Sequence, residues 1–237
     1  MFRYQSVAAT AAIGMLLTVA LAGCGASQSH HAQQSHKTEP PTASPNGVPL
    51  PPGAHLSAGK LPILVPADLR VKSTMDSSSA PGRYNVTVLT TAGVQISFGG
   101  QHYASPGIAD QQLLNLVIVS PGRGLADPLG AAIVARKYPK QHLITWTQGH
   151  WIIEVTDAPK ADLSALQAPA KTIAKLLKPG HLPVTAHGVL HWTVASKGQD
   201  TIALYWTKGP AVYHVMEQHG HNAEAAISMA ASMVTIP

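Results

Sequence analysis

The sequence predicts an α+β fold for residues 61–237, in which an antiparallel sheet carries helices packed on one face. Two observations lead to this fold class: a hairpin pattern that occurs twice, 60 residues apart, and an amphipathic helical segment that follows each copy. Antiparallel strands with helices segregated to one face are typical of α+β proteins. The full chain of 237 residues leaves room for one such domain behind an N-terminal extension.

The hairpin pattern has Trp-Thr-x-Gly at its centre. Val134–Val155 aligns without a gap on Val194–Val215, with seven identical positions. β-Branched and aromatic residues on both sides of a glycine predict a hairpin with the glycine at a positive φ in the turn. The residues that define the repeat are Trp146, Gly149, Trp206 and Gly209.

Each hairpin is expected to lead into a helix, which completes a strand–strand–strand–helix unit. The first helix is predicted over about Ala161–Lys178 and the second from Asn222, a favourable N-cap, to about Met233, because apolar residues recur there at helical spacing. The two units then span about 131–178 and 187–236.

Residues 61–125 are expected to form a third, more degenerate unit. Tyr84–Thr90 and Val94–Phe98 alternate as strands do, and Ser105 followed by Pro106 predicts the start of a helix. The sequence thus predicts one repeat domain with two units and, on the looser pattern, three.

The N-terminus has the features of an export signal over residues 1–23. A positive start is followed by the apolar run Val7–Ala20, which is short for a membrane-spanning helix. The next residues are Leu21, Ala22, Gly23 and Cys24. They resemble the lipobox of bacterial lipoproteins, and the resemblance implies cleavage before Cys24, a diacylglyceryl group on its sulfur and acylation, for instance with palmitate, of its amino group. The alternative is an uncleaved membrane anchor in which the cysteine is incidental.

Residues 24–60 are predicted to be a lipidated N-terminus followed by a disordered tether. This segment is rich in Pro, Ser and His and has no aromatic residue, so it cannot bury enough apolar surface to offset its ordering entropy. The lipobox, the tether and the repeated Trp-Thr-x-Gly hairpin resemble a group of uncharacterised lipoproteins of Gram-positive bacteria. That resemblance implies an envelope location, at the extracytoplasmic face of the cell membrane, and supplies no catalytic residues.

Composition and motifs exclude several classes of function. Cys24 is the single cysteine, which excludes thiolate chemistry and disulfides from the domain. The positive charges are scattered, so no nucleic-acid partner is expected. The chain has no Gly-x-Ser-x-Gly, His-Glu-x-x-His or P-loop motif, and we expect neither an enzyme nor a cofactor.

Histidine is in excess, with 13 residues against 11 carboxylates. His214, His219 and His221 bracket a predicted turn and form a candidate imidazole-based metal site, with solvated loop histidines as the alternative. If the histidines of the domain are mostly exposed, its stability should change little down to about pH 4.

The expected function is that of a lipid-anchored binding or interaction module. Its partner would be the membrane, through Cys24, together with an envelope protein, a cell-wall component or a small ligand. Two alternatives stay open: a His-based metal-binding lipoprotein, and an envelope sensor or regulator that acts through protein contacts.

Overall fold

The computed structural model describes residue 59 and the ranges 61–67, 71–119, 124–130, 133–157, 163–177, 181–195, 200–218 and 223–236. The strands within these ranges are β1 (Ile63–Pro66), β2 (Val71–Ala80), β3 (Arg83–Thr90), β4 (Gln95–His102), β5 (Leu125–Pro128), β6 (Val134–Tyr138), β7 (Leu143–Gln148), β8 (Trp151–Asp157), β9 (Gly188–Val194), β10 (Thr201–Lys208), β11 (Ala211–Gln218) and β12 (Met233–Ile236). The α-helices are α1 (Pro106–Leu114), α2 (Gln167–Leu176) and α3 (Ala223–Ala231), and short 3-10 helices cover Pro139–Gln141 and Leu163–Leu166.

Ten of the strands form one sheet in the order β2-β3-β4-β11-β10-β9-β8-β7-β6-β5, and β1 pairs with β12 in a second, two-stranded sheet. The pairings within the large sheet are antiparallel, except that β8 and β9 run parallel. A parallel pair needs a crossover connection, and the segment that contains α2 lies between these two strands in the chain. The fold class is α+β, as predicted, with a sheet that is mostly antiparallel but mixed.

The two Trp-Thr-x-Gly segments form the hairpins β7–β8 and β10–β11, each closed by a two-residue turn. Gly149 and Gly209 open these turns with φ of 59° and 60°. A positive φ at the first turn residue, followed by a negative one, is the pattern of a type II′ turn, which glycine adopts without strain. Trp146 and Trp206, three residues before each glycine, are both 2% exposed.

The strands that precede the two hairpins do not follow the same alignment. Arg136 lies opposite Thr145, whereas Val189 lies opposite Tyr205, so β6 and β9 correspond at an interval of 53 residues rather than 60. The β9–β10 pairing continues to Thr193 and Thr201, two residue pairs beyond the counterpart of Tyr138 and Leu143, and its connection is also longer; together these account for the difference. The identities that the 60-residue alignment gives upstream of the hairpins therefore do not mark equivalent strand positions.

The main core covers one face of the large sheet, which we call the core face. Ile202, Leu204 and Trp206 alternate along β10 with residues of the other face, and all three belong to the buried apolar cluster. Residues from α2 and α3, such as Ile173 and Ile227, complete that cluster. These two helices therefore pack on the core face.

Helix α1 packs against β9, β10 and β11 on the opposite face, which corrects the prediction that the helices share one face. Its buried residues Ala109 and Leu113 do not belong to the core cluster. The physical reason lies in the strands beneath it: Val189 and Ala203 alternate out of phase with the core residues and are also buried. Strands that are apolar on both sides need a cover on both faces.

The C-terminal segment also differs from its prediction. Helix α3 ends at Ala231, and Met233–Ile236 form β12, which pairs with β1, where the sequence suggested a helix to about Met233. The run of Val, Thr and Ile favours an extended backbone once a partner strand is available. The preceding predicted helix is a 3-10 turn followed by α2, which ends at Leu176.

Candidate functional site

The sheet face under α1 carries a row of polar side chains. They point away from the core because successive residues of a strand alternate between the two faces. Five strands contribute one residue each, namely Asn85, His214, Tyr205, His191 and Glu154. We call these five residues the polar row.

A glycine allows His214 to lie against the sheet. Gly99 of β4 is the register partner of both His214 and Asn85. A Cβ atom at Gly99 would lie 2.4 Å from the Tyr84 carbonyl oxygen and 2.7 Å from His214 Cε1, distances that no side chain tolerates. The imidazole can therefore reach across β4 to β3.

His214 and Asn85 are joined by a hydrogen bond of 3.1 Å between Nε2 and Oδ1. Since the amide oxygen accepts, the ring donates from Nε2. Burial lowers the pKa of His214 to about 4, so the ring is neutral at pH 7. Nε2 is occupied by Asn85, which leaves Nδ1 as the nitrogen that could bind a metal.

Tyr205 lies between the two buried histidines of the row. Its ring centroid is 6.2 Å from that of His214 and 6.3 Å from that of His191, with an edge-on arrangement in the second pair. Burial raises the pKa of Tyr205, so its hydroxyl stays protonated at neutral pH. The row is thus continuous across the sheet.

Glu154 holds the chain that follows α1 onto the sheet. Its fully buried carboxylate accepts the backbone N–H of Ile118, at 3.1 Å to each oxygen, and that of Val119 at 3.3 Å. Burial raises the pKa of Glu154, although these two N–H groups act in the opposite direction. His191 Nε2 lies 3.2 Å from Glu154 Oε2, and burial lowers the pKa of His191 to about 4.

Beside α1, the polar row opens into a pocket of about 490 Å³, which we call the α1 pocket. Asn85, Tyr205 and His214 line it together with Gln112 of α1. Leu116, which lies just beyond the C-terminal end of α1, also lines it. Further polar lining comes from Ser78, Ser79, Arg83, Gln101 and Tyr103. A cavity of this size that combines aromatic and hydrogen-bonding side chains is within the usual range for small-molecule sites.

The structure describes only part of the predicted metal site. His214 lies in the α1 pocket, whereas His219 and His221 lie outside the described residues. Among the residues that the structure does describe, no three side chains of metal-binding type gather in one place. His214 is joined instead to an amide and an aromatic ring.

The expectation of mostly exposed histidines has two exceptions that bear on the response to acid. Four of the seven described histidines are exposed, but the His191 side chain is only 22% exposed and His214 is largely covered. Both lie on strands and face α1 or its pocket. Burial lowers the pKa of both residues, so both contribute to the pH dependence of stability.

The lipobox residues Leu21, Ala22, Gly23 and Cys24 lie outside the described residues, as do residues 1–23 as a whole and nearly all of 24–60. Within the part of the chain that is described, no helix has the length and apolar character needed to cross a membrane.

Sequence reasoning did not identify Asn85, Glu154 or Tyr205 as members of a site. One signal was present: in β9 and β11 a histidine alternates with large apolar residues, as in Leu190-His191-Trp192. Such alternation places the histidine on the face opposite the core. It does not indicate which strands are neighbours, and so the row could not be assembled.

Searches against protein-family models, curated proteins and solved structures found no match for this chain.

Proposed function

We propose that this protein is a membrane-anchored extracytoplasmic lipoprotein whose domain binds a small polar ligand in the α1 pocket. The anchor would be the lipid on Cys24, for which the residues Leu-Ala-Gly-Cys at 21–24 are the support. Two or more acyl chains hold a protein stably on a bilayer, so the domain needs no membrane affinity of its own. Its activity is that of a binding module and not of an enzyme.

The observation that carries the binding role is the polar row beneath the α1 pocket. Polar side chains on a covered sheet face cost stability unless they are hydrogen-bonded, and an apolar face would pack against α1 at less cost. The His214–Asn85 bond and the glycine beneath it hold two polar groups in a fixed position at the pocket. A rigid set of donors and acceptors beside aromatic surface suits the recognition of a small polar molecule.

Gln112 and Gln111 offer a matched pair of variants for the test. Both are exposed residues of α1, but only Gln112 lines the pocket. The mature chain from Cys24 would be screened by NMR against sugars, amino acids and short organic acids. We expect to find a compound whose binding shifts the signals of His214 and Tyr205. Gln112→Ala should lower the affinity for that compound about fivefold, because a hydrogen bond is lost.

Gln111→Ala should leave the affinity unchanged. Equal affinities for the two variants, or binding compounds that shift no signal of a pocket residue, would contradict the proposed site.

The internal repeat is proposed for two units, about 131–178 and 187–236. The equal registers of the hairpins, the two turn glycines at positive φ and the return of α2 and α3 to the core face support a common origin. Residues 61–125 fit this scheme less well, because α1 covers the other face of the sheet.

A further inference from the structure

The described lining of the α1 pocket carries a positive charge and no negative charge. Of the fourteen described residues that line it, none is Asp or Glu, and Arg83 carries the one permanent charge. The other polar lining groups are hydroxyls, amides and the neutral imidazole of His214. A ligand in this pocket therefore meets a net positive charge.

Arg83 is placed where a ligand can reach it. It begins β3 directly after the Pro81-Gly82 turn and is exposed. Among the ion pairs of the described residues none involves Arg83, so its guanidinium donors are free of a carboxylate partner within the described part of the chain. A guanidinium presents parallel N–H donors that match a carboxylate in two bonds.

The rest of the lining fixes the size and character of the remaining part of the ligand. Tyr103 and Tyr205 offer ring surface, and Leu116 and Val212 offer apolar contact. One guanidinium neutralises one negative charge, so a dianion such as a phosphate monoester would leave a charge uncompensated beside these groups.

We propose that the ligand of the α1 pocket is a small organic monoacid, whose carboxylate binds Arg83 and whose body packs between the tyrosines and the amide side chains. This inference rests on the proposed function and adds the chemical class of the ligand.

The test compares acids with their neutral amides, namely lactate with lactamide, benzoate with benzamide and glucuronate with glucuronamide. Each compound is titrated into the mature chain from Cys24 at pH 7.5 and low salt, and NMR signals of His214, Tyr205 and Asn85 are followed. We expect at least one acid to bind about tenfold more tightly than its amide, which corresponds to one charge-assisted pair.

Arg83→Gln should remove that preference by weakening the acid about tenfold while leaving the amide unchanged, and Arg83→Lys should retain part of it. The control Lys171→Gln removes an equal charge at an exposed residue of α2, the helix that packs on the opposite face of the sheet. It should change neither affinity.

Two other results have separate meanings. Equal binding of acid and amide, or an acid preference that survives Arg83→Gln, overturns the ligand class but leaves a pocket that binds. If none of the six compounds shifts a pocket signal at millimolar concentration, whether or not it binds elsewhere, the inference fails. If a screen of neutral sugars and amino acids is negative as well, the proposed function also fails.

Discussion

Mild acid should destabilise this domain through His191 and His214. In the folded protein, burial lowers the pKa of each ring from 6.5 to about 4. The unfolded chain therefore binds protons that the folded chain does not bind between about pH 6.5 and pH 4. Stability from these two groups is fully present above pH 6.5 and is lost as the pH falls through this window.

The magnitude follows from the two pKa values. Lowering the pH from 7.5 to 5.0 should cost about 2 kcal/mol for each histidine and about 4 kcal/mol for both. Glu154 opposes this loss, because a carboxyl whose pKa is raised on folding takes up its proton first in the folded state. We therefore expect a net loss below about 4 kcal/mol, which corresponds to a fall of roughly 10 °C in the melting temperature of a domain of this size.

The assay is urea denaturation of the mature chain at pH 7.5 and pH 5.0, followed by tryptophan fluorescence. The double variant His191→Gln, His214→Gln should lose most of the difference between the two pH values, although it is itself less stable at pH 7.5. The control variant His102→Gln, His150→Gln replaces two exposed histidines and should behave as the wild type does.

A wild-type loss below about 1 kcal/mol would refute the reasoning. So would an undiminished loss in the variant without the buried histidines, since the proton uptake would then occur elsewhere.

Three further predictions concern single residues. Glu154→Ala should lower the free energy of unfolding by about 3 kcal/mol, because the backbone N–H groups of Ile118 and Val119 lose a charged acceptor, and the exposed control Glu224→Ala should stay within about 0.5 kcal/mol in the same denaturation assay. Gly99→Ala should cost at least about 2 kcal/mol and displace the His214 ring, seen as a changed imidazole NMR signal, whereas Gly130→Ala, with no atom near its new Cβ, should be close to neutral. Cys24→Ser should move the folded protein from the membrane fraction to the soluble fraction, and retention in the membrane of the mature chain with this change, without residues 1–23, would contradict the lipoprotein proposal.

Local patterns in the sequence were sufficient for the fold class and for the two hairpins. Alternation along each strand, glycine at each turn and helical spacing of apolar residues are interactions within about ten residues, and they can be read without knowledge of the fold. The predicted lipobox is a pattern of the same kind, because it consists of Cys24 and its immediate neighbours. That assignment stays a prediction, since those residues lie outside the described part of the chain.

The polar row and the α1 pocket depend on which strands become neighbours. His214 and Asn85 are 129 residues apart in the chain and meet because β11 inserts beside β4. The alternation of a strand identifies the residues that share a face, but strand order depends on how the whole set of apolar faces can be buried together. The same holds for α1, which covers the buried apolar residues Val189 and Ala203 on the face opposite α2 and α3.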